Sequence, residues 1–216
     1  MGFDVAETDR LLTTTRSVRR RLDRTRPVDV DLLKQCLEVA VQAPTGSKME
    51  DWRWIVVTDP VQRQRIGEIY ADTSTRYLEW WRFTEPDLDE SSPAVVSARV
   101  LWEHLDEVPA LVFPCFQRHG WHRSNPNRQF VEASVYGSIF PAVWSFQLAC
   151  HARRLGSCLI TGHLNNDGAV ADVLGLPDDI GQAGMVAVAH LTDDRPFRPA
   201  KRRPVDEVLH VDRWAS

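Results

Sequence analysis

Two arginine-rich stretches stand near the two ends of this 216-residue chain. The first is Thr15-Arg16-Ser17-Val18-Arg19-Arg20-Arg21, and the second is Lys201-Arg202-Arg203-Pro204. Guanidinium forks beside a hydroxyl are what a phosphate monoester asks for, because they offer bidentate donors and one short hydrogen bond. If the fold brings the ends together, they make one anion pocket. The competing reading is a solvated basic face balanced by Asp23, Asp206 and Glu207. The net charge of −4 argues against a dedicated nucleic-acid binder, whose footprint is strongly basic. Nothing aromatic is interleaved with the arginines either.

A third stretch, APTGSKMEDWRWIVV at 43–57, places a turn between a helix stop and a buried strand. Such a turn presents backbone N–H groups and short side chains at the end of a sheet, where flat heteroaromatic ligands settle. Lys48 could set a cation against an electron-rich ring edge. Trp52 and Trp54 alternate with Arg53, so one strand face is aromatic, and Trp54 reads as core. Thr161-Gly162 follows Ser157-Cys158-Leu159-Ile160, and a small residue there lets backbone approach a ring or a phosphate. Trp80, Trp81, Phe83 and Trp121 fall in lid-like regions and could stack an aromatic substrate. Surface-helix aromatics packed on a partner are the alternative. Cys115-x3-His119-x2-His122 has a metal-like spacing but lacks a fourth ligand, and a strand end followed by a polar loop accounts for it equally. There is no GxGxxG, no GxxxxGK[ST] and no GxSxG.

The elements that must position these groups are legible from periodicity. Leu32, Leu33, Cys36, Leu37 and Ala40 form a helical stripe over 29–42, with Asp29 as N-cap and Pro44 enforcing the stop. Residues 53–58 predict a strand buried on both faces, and 110–116 a second, with Pro114 marking an edge position or a bulge. Helices are predicted from Pro60 to about Tyr70, possibly on to Trp81, and over 94–107, with loops at 84–93 and 117–129. Residues 131–155 form the longest helical stretch, apolar nearly all round, as a subunit interface would be. Pro141 should kink it and Gly156 stop it. Short strands at 157–160 and 183–191, with a helix ending at Gly175 between them, complete the pattern. Without regular βαβ alternation, the class is α+β, a central sheet with helices over it. No repeat or long linker interrupts the chain, so 1–216 reads as a single domain. No run of eighteen apolar residues occurs, and the four cysteines read as small core residues of a reducing, cytoplasmic compartment.

In order, RSVRR, APTGS…W-x-W-IVV, SIFPAVWSFQLACHARRLGSCLITGHL, LGLPDDIGQAGMVAVAHL and RRPVDEVLHVDRW resemble the FMN-dependent nitroreductase family over about residues 13–214. The opening TTR-x-VRRRLD is most similar to an actinobacterial-type branch. The resemblance implies a nitroreductase-like mixed or antiparallel sheet flanked by helices. It also implies a homodimer with long central interface helices and an exchanged C-terminal segment. FMN would lie between subunits. The phosphate would rest on Arg16, Ser17, Arg19, Arg202 and Arg203, and the ring near Thr45, Ser47, Lys48, Glu50, Thr161 and Gly162. NADH or NADPH would reduce the flavin at N5 and leave, and a nitroaromatic, quinone or enone acceptor would follow in ping-pong order. No side chain is needed as nucleophile. A dedicated metabolite dehydrogenase or dehalogenase of the same fold is one alternative, and a non-catalytic FMN-binding or storage protein is another. The chain departs from the family loop, which usually reads P-[ST]-x-x-N-x-Q-[PN]-W. Lys48 replaces Asn, Glu50 replaces Gln, and Asp51 precedes the tryptophan. Thr15 stands where an arginine is common, and Trp144-Ser145 where the family has Gln-Asn. The expectation for Lys48 is that its charge stabilises the anionic reduced flavin.

Overall fold

The computed structural model describes residues 2–46, 50–84 and 89–214. Five strands form one sheet. They are β1 (Trp52–Val57), β2 (Ala110–Gln117), β3 (Leu155–Ile160), β4 (Ile180–Gln182) and β5 (Met185–His190). Their order is β1-β2-β5-β3, with β4 pairing beside β5 on β2, and every pair is antiparallel. A lone parallel bridge, Ser17 to Ser157, adds the N-terminal segment to the outer edge of β3.

Helices cover both faces, and the period-2 alternation of the strands sorts the core into two layers. Leu111, Phe113 and Cys115 of β2, with Met185, Ala187 and Ala189 of β5, face one side. There they pack against α3 (Pro60–Thr84), α4 (Pro93–Glu103) and α7 (Asp167–Leu174) through Ile66, Tyr70, Leu101 and Val170. Ala110 and Val112, with Val186 and Val188, face the other side. They meet α2 (Val30–Ala40) and α6 (Arg128–Ala152) through Leu33, Cys36, Ile139, Phe146 and Cys150. This double cover is why β2 and β5 read as unbroken apolar runs.

Local sequence explains most element ends. Asp29 caps α2 by accepting from the Asp31 N–H at 2.9 Å, and Asn127 caps α6 by accepting from Phe130 N–H at 3.0 Å. Gly175, at φ 64°, closes α7. Pro114 sits at the centre of the sheet, not its edge. The register steps from Val112↔Val186 to Cys115↔Gln182, so Phe113 and Pro114 face three residues, 183–185. That is a bulge, and it removes the need for a donor at Pro114.

Several expectations are corrected. The edge strand β1 is not buried on both faces, since Arg53 is exposed and 54–56 only half-buried. A helix, α1 (Val5–Thr14), precedes the basic stretch, capped by Asp4. The 117–129 loop contains a short helix, α5 (Gly120–Ser124). α6 runs unbroken through Pro141. It is stopped by Arg154 in the left-handed region at φ 63°, not by Gly156. Gly156 lies inside β3, where a Cβ would come within 2.9 Å of both Leu22 and Leu191. The tail holds a 3-10 turn, Val205–Glu207.

Candidate functional site

Residues 15–18 of the basic N-terminal stretch are extended and strapped to the edge of β3, and 19–21 form a bend and turn. The Val18 N–H donates to the Ser157 carbonyl at 2.9 Å, and Val18 and Leu22 are buried in the core. Alternation then turns Ser17 away from that core, and Arg19 follows in the bend, half-buried. Both approach the Cys158 thiol, which burial pushes up and which these two neighbours hold partly down. Arg16, Arg19 and Arg20 make no ion pair among the described residues. Arg21 differs: it pairs with Asp193 at 2.5 Å, donates to the Arg195 carbonyl at 2.6 Å and lies 4.2 Å over the Phe197 ring. The arginines therefore divide, with Arg21 anchoring the start of the C-terminal arm and Arg16 and Arg19 outside any ion pair among the described residues.

A cavity of about 290 Å3 opens beside Arg19. Its walls include Tyr70, Trp81, Cys158, Thr161 and Gly162. The Thr161-Gly162 turn follows β3 directly. The ring that Gly162 lets in is Tyr70, whose edge would stand 3.1 Å from an added Cβ. Below the turn, His163 is wholly buried, edge-on to Phe113 at 5.9 Å. Gln182 lies close enough to act on the ring, though neither ring nitrogen meets hydrogen-bond geometry among the described residues. Burial, opposed by the Asp167 charge, holds its imidazole down at about 4, so the turn rests on a neutral ring at neutral pH.

Of the aromatic residues expected to stack a substrate, Trp81 alone lines this cavity. Trp80 faces a neighbouring one with Arg76 and Asn165. Phe83 is 84% exposed at the end of α3 and walls neither. The side chain of Trp121 lies outside the described residues. Tyr77, which sequence reasoning passed over, sits 5.9 Å from both Trp80 and Trp81 and ties them into one aromatic cluster. Its spacing from them, three and four residues along a helix, was the available signal.

The 43–57 loop lies elsewhere. Thr45 is half-buried and Glu50 exposed, while Ser47 and Lys48 lie outside the described residues. The Gly46 N–H donates to Ser138 Oγ on α6 at 3.1 Å, which pins the loop to that helix. Trp54 packs on Phe146 at 5.9 Å and belongs to the core. Because the strands alternate in direction, β1 begins at the end of the sheet where β3 finishes. The two occupy opposite edges, three strand spacings or about 14 Å apart. Both candidate stretches therefore lie on one rim of the sheet. Lys201, Arg202 and Arg203 are exposed on the C-terminal arm and make no ion pair among the described residues. Cys115, by contrast, is sealed inside the sheet with its thiol pushed up to about 12 by burial. No group of His, Cys, Asp or Glu among the described residues is placed to hold a metal.

Comparison with known proteins agrees with this architecture. The model of the nitroreductase family matches residues 12–190. Protein DrgA of Synechocystis is 28% identical over 177 residues, covering 77% of this chain and 76% of that protein. The NADPH:FMN oxidoreductase of Vibrio harveyi, solved with NAD+, superposes with a TM-score of 0.69 at 16% identity, covering 97% of this chain and 78% of the other. An iodotyrosine deiodinase bound to FMN and 3-iodo-L-tyrosine superposes with a TM-score of 0.67 at 19% identity, covering 94% and 98%.

Proposed function

The chain belongs to the nitroreductase family, and from that premise we propose that it is an FMN-dependent oxidoreductase. It would take reducing equivalents from NADH or NADPH and pass them to nitroaromatic, quinone or enone acceptors. The observation that carries this reading is the Ser17–Arg19 segment, clamped to β3 with the Arg19 guanidinium, outside any ion pair among the described residues, beside the Thr161-Gly162 turn.

The residues present fit the cofactor. A terminal phosphate needs two or more charge-assisted donors and a hydroxyl, and Arg16, Ser17 and Arg19 supply them from one segment. Arg202 and Arg203, carried on an arm rooted at the Arg21–Asp193 pair, supply further donors. The turn at Thr161-Gly162 offers backbone to the edge of a flat ring, and Trp81 offers a stacking face. When bound, FMN supplies the hydride chemistry that no side chain here can perform.

The two stretches on one rim act as half-sites completed by a second copy, whose 43–50 loop, with Thr45 and Glu50, would close over the ring. Homodimerisation is supported by the aromatic face of α6, where Phe130, Tyr136 and Trp144 are exposed. The arm residues Val205, Val208, Leu209, Val211 and Trp214 are exposed as well. The likeness to iodotyrosine deiodinases supports a narrower second reading, a dedicated metabolite dehydrogenase or dehalogenase, which a panel of nitro, quinone, enone and iodoaromatic acceptors separates by its breadth. An absorbance spectrum of the purified protein should show flavin bands, and anaerobic NADPH should bleach them. Protein that is colourless and takes up no added FMN would refute the proposal. Yellow protein that NADH and NADPH leave oxidised would point to flavin binding or storage instead.

A further inference from the structure

A second cavity, of about 650 Å3, adjoins the one beside Arg19. The two share Tyr77 and Asn165 as walls. Asn165 also ties the second cavity to the turn, since its Nδ2 donates to the Gly162 carbonyl at 3.0 Å. The volume falls within the range of small-molecule sites. Three of its side chains, on α3 and at the start of α7, carry groups that the fold uses little or not at all.

Trp80 is 58% exposed and meets Tyr77 at 5.9 Å, tilted by 35°. An indole held from one side and open on the rest is a stacking platform for a flat base. Asn166 is the N-cap of α7, where an asparagine side chain ordinarily accepts from the backbone of the first turn. Here it makes no such bond, so its carboxamide keeps a donor and an acceptor side by side. That pair matches the 6-amino group and N7 of adenine, the bidentate fit of an asparagine to that base. Arg76 pairs with Asp72 at 2.9 Å, with the two side chains 75% and 53% exposed. A pair so open to water contributes little. A phosphate, with more acceptor oxygens and more charge, takes the guanidinium at small cost.

We propose that this cavity is an adenine-nucleotide subsite. Adenine stacks on Trp80, Asn166 reads its edge, and Arg76 holds a phosphate. The inference rests on the oxidoreductase reading only in casting the nucleotide as the adenosine half of the reductant, with the nicotinamide end in the adjoining cavity.

Isothermal titration calorimetry on the purified full chain, with FMN added to occupy the basic stretch, tests it with AMP, IMP and adenosine. A flavin absorbance spectrum is read on each sample. Wild type should bind AMP about tenfold more tightly than IMP, in which a carbonyl replaces the 6-amino donor. It should bind AMP about threefold more tightly than adenosine, an advantage that shrinks with added salt. Asn166→Ala should erase the difference between AMP and IMP. Arg76→Gln should erase the difference between AMP and adenosine, and Asp72→Asn, which removes the competing carboxylate, should widen it. Trp80→Leu should weaken AMP and adenosine alike by about tenfold, as loss of base stacking implies. A wild type without these preferences, or preferences that survive in Asn166→Ala and Arg76→Gln, would overturn the inference. AMP binding lost in Arg19→Ala but kept in Trp80→Leu would put the nucleotide at the basic stretch and overturn it as well. Protein that takes up no FMN yet shows the preferences would sink the oxidoreductase reading and leave the subsite standing. Yellow protein without them would do the reverse.

Discussion

Gly156 offers a direct way to perturb the candidate anion site without touching it. In β3 its missing side chain is replaced by Leu22 and Leu191, each of which would stand 2.9 Å from an added Cβ, and by Val18 at 3.1 Å. Two of those three neighbours belong to the segment that carries Ser17 and Arg19. Gly156→Ala therefore has to displace methyl groups of Leu22, Leu191 and Val18, and through the first and last of these it presses on that segment. Overpacking of this kind costs about 1–3 kcal/mol. Removing a strand glycine returns about 0.5–1 kcal/mol, leaving a net loss of about 1 kcal/mol between the middles of the two ranges. Urea unfolding followed by tryptophan fluorescence should read that loss. FMN affinity, titrated by the quenching of flavin fluorescence, should weaken in the same variant, because the Val18–Ser157 hydrogen bond and the Ser17 bridge lie beside the displaced contact. Gly175→Ala is the control. It strains a backbone at φ 64° with nothing within 4 Å of the new Cβ, for about 1–2 kcal/mol, and it moves no part of the basic stretch. The reasoning fails if Gly156→Ala is as stable as wild type, or if Gly175→Ala loses as much FMN affinity.

Three further outcomes are expected. Arg19→Ala should weaken FMN binding by about tenfold or more, as loss of a charge-assisted hydrogen bond implies, with colour lost on dialysis while urea stability holds. His163, wholly buried, has its imidazole held at about 4, below the ordinary 6.5. Between those values the unfolded chain binds a proton that the folded chain does not, so stability should fall as pH drops from 6.5 towards 4, by up to about 3 kcal/mol. His163→Phe should flatten that slope in urea titrations at a series of pH values, and an unchanged slope would assign it to other groups. Trp144→Glu puts a charge on the exposed aromatic face of α6 and should shift the oligomer towards monomer in light scattering, with loss of bound flavin.

Much of the core was written in local pattern. The double-sided apolar runs of β2 and β5, the stripe of α2 and the length of α6 follow from side-chain periodicity, which is a property of the chain alone. The bulge at Pro114 was legible for the same reason, since a missing N–H is a local fact. The amino-acid types of the basic stretch and of the Thr-Gly turn likewise marked both as candidates for anion chemistry before any fold existed. Tertiary structure decided the rest. Arg16, Arg19 and Arg21 are alike in sequence, and only the approach of Asp193 and Phe197 made the last a structural anchor. Gly156 looked like a helix stop because glycine tolerates a left-handed turn, but Arg154 took that conformation and glycine was spent on close packing against Leu22 and Leu191. Asp51 showed in the sequence only as an altered letter. Its 2.8 Å ion pair with His119 came from β1 and β2 pairing across more than sixty residues of chain, at separations where sequence spacing carries no distance information.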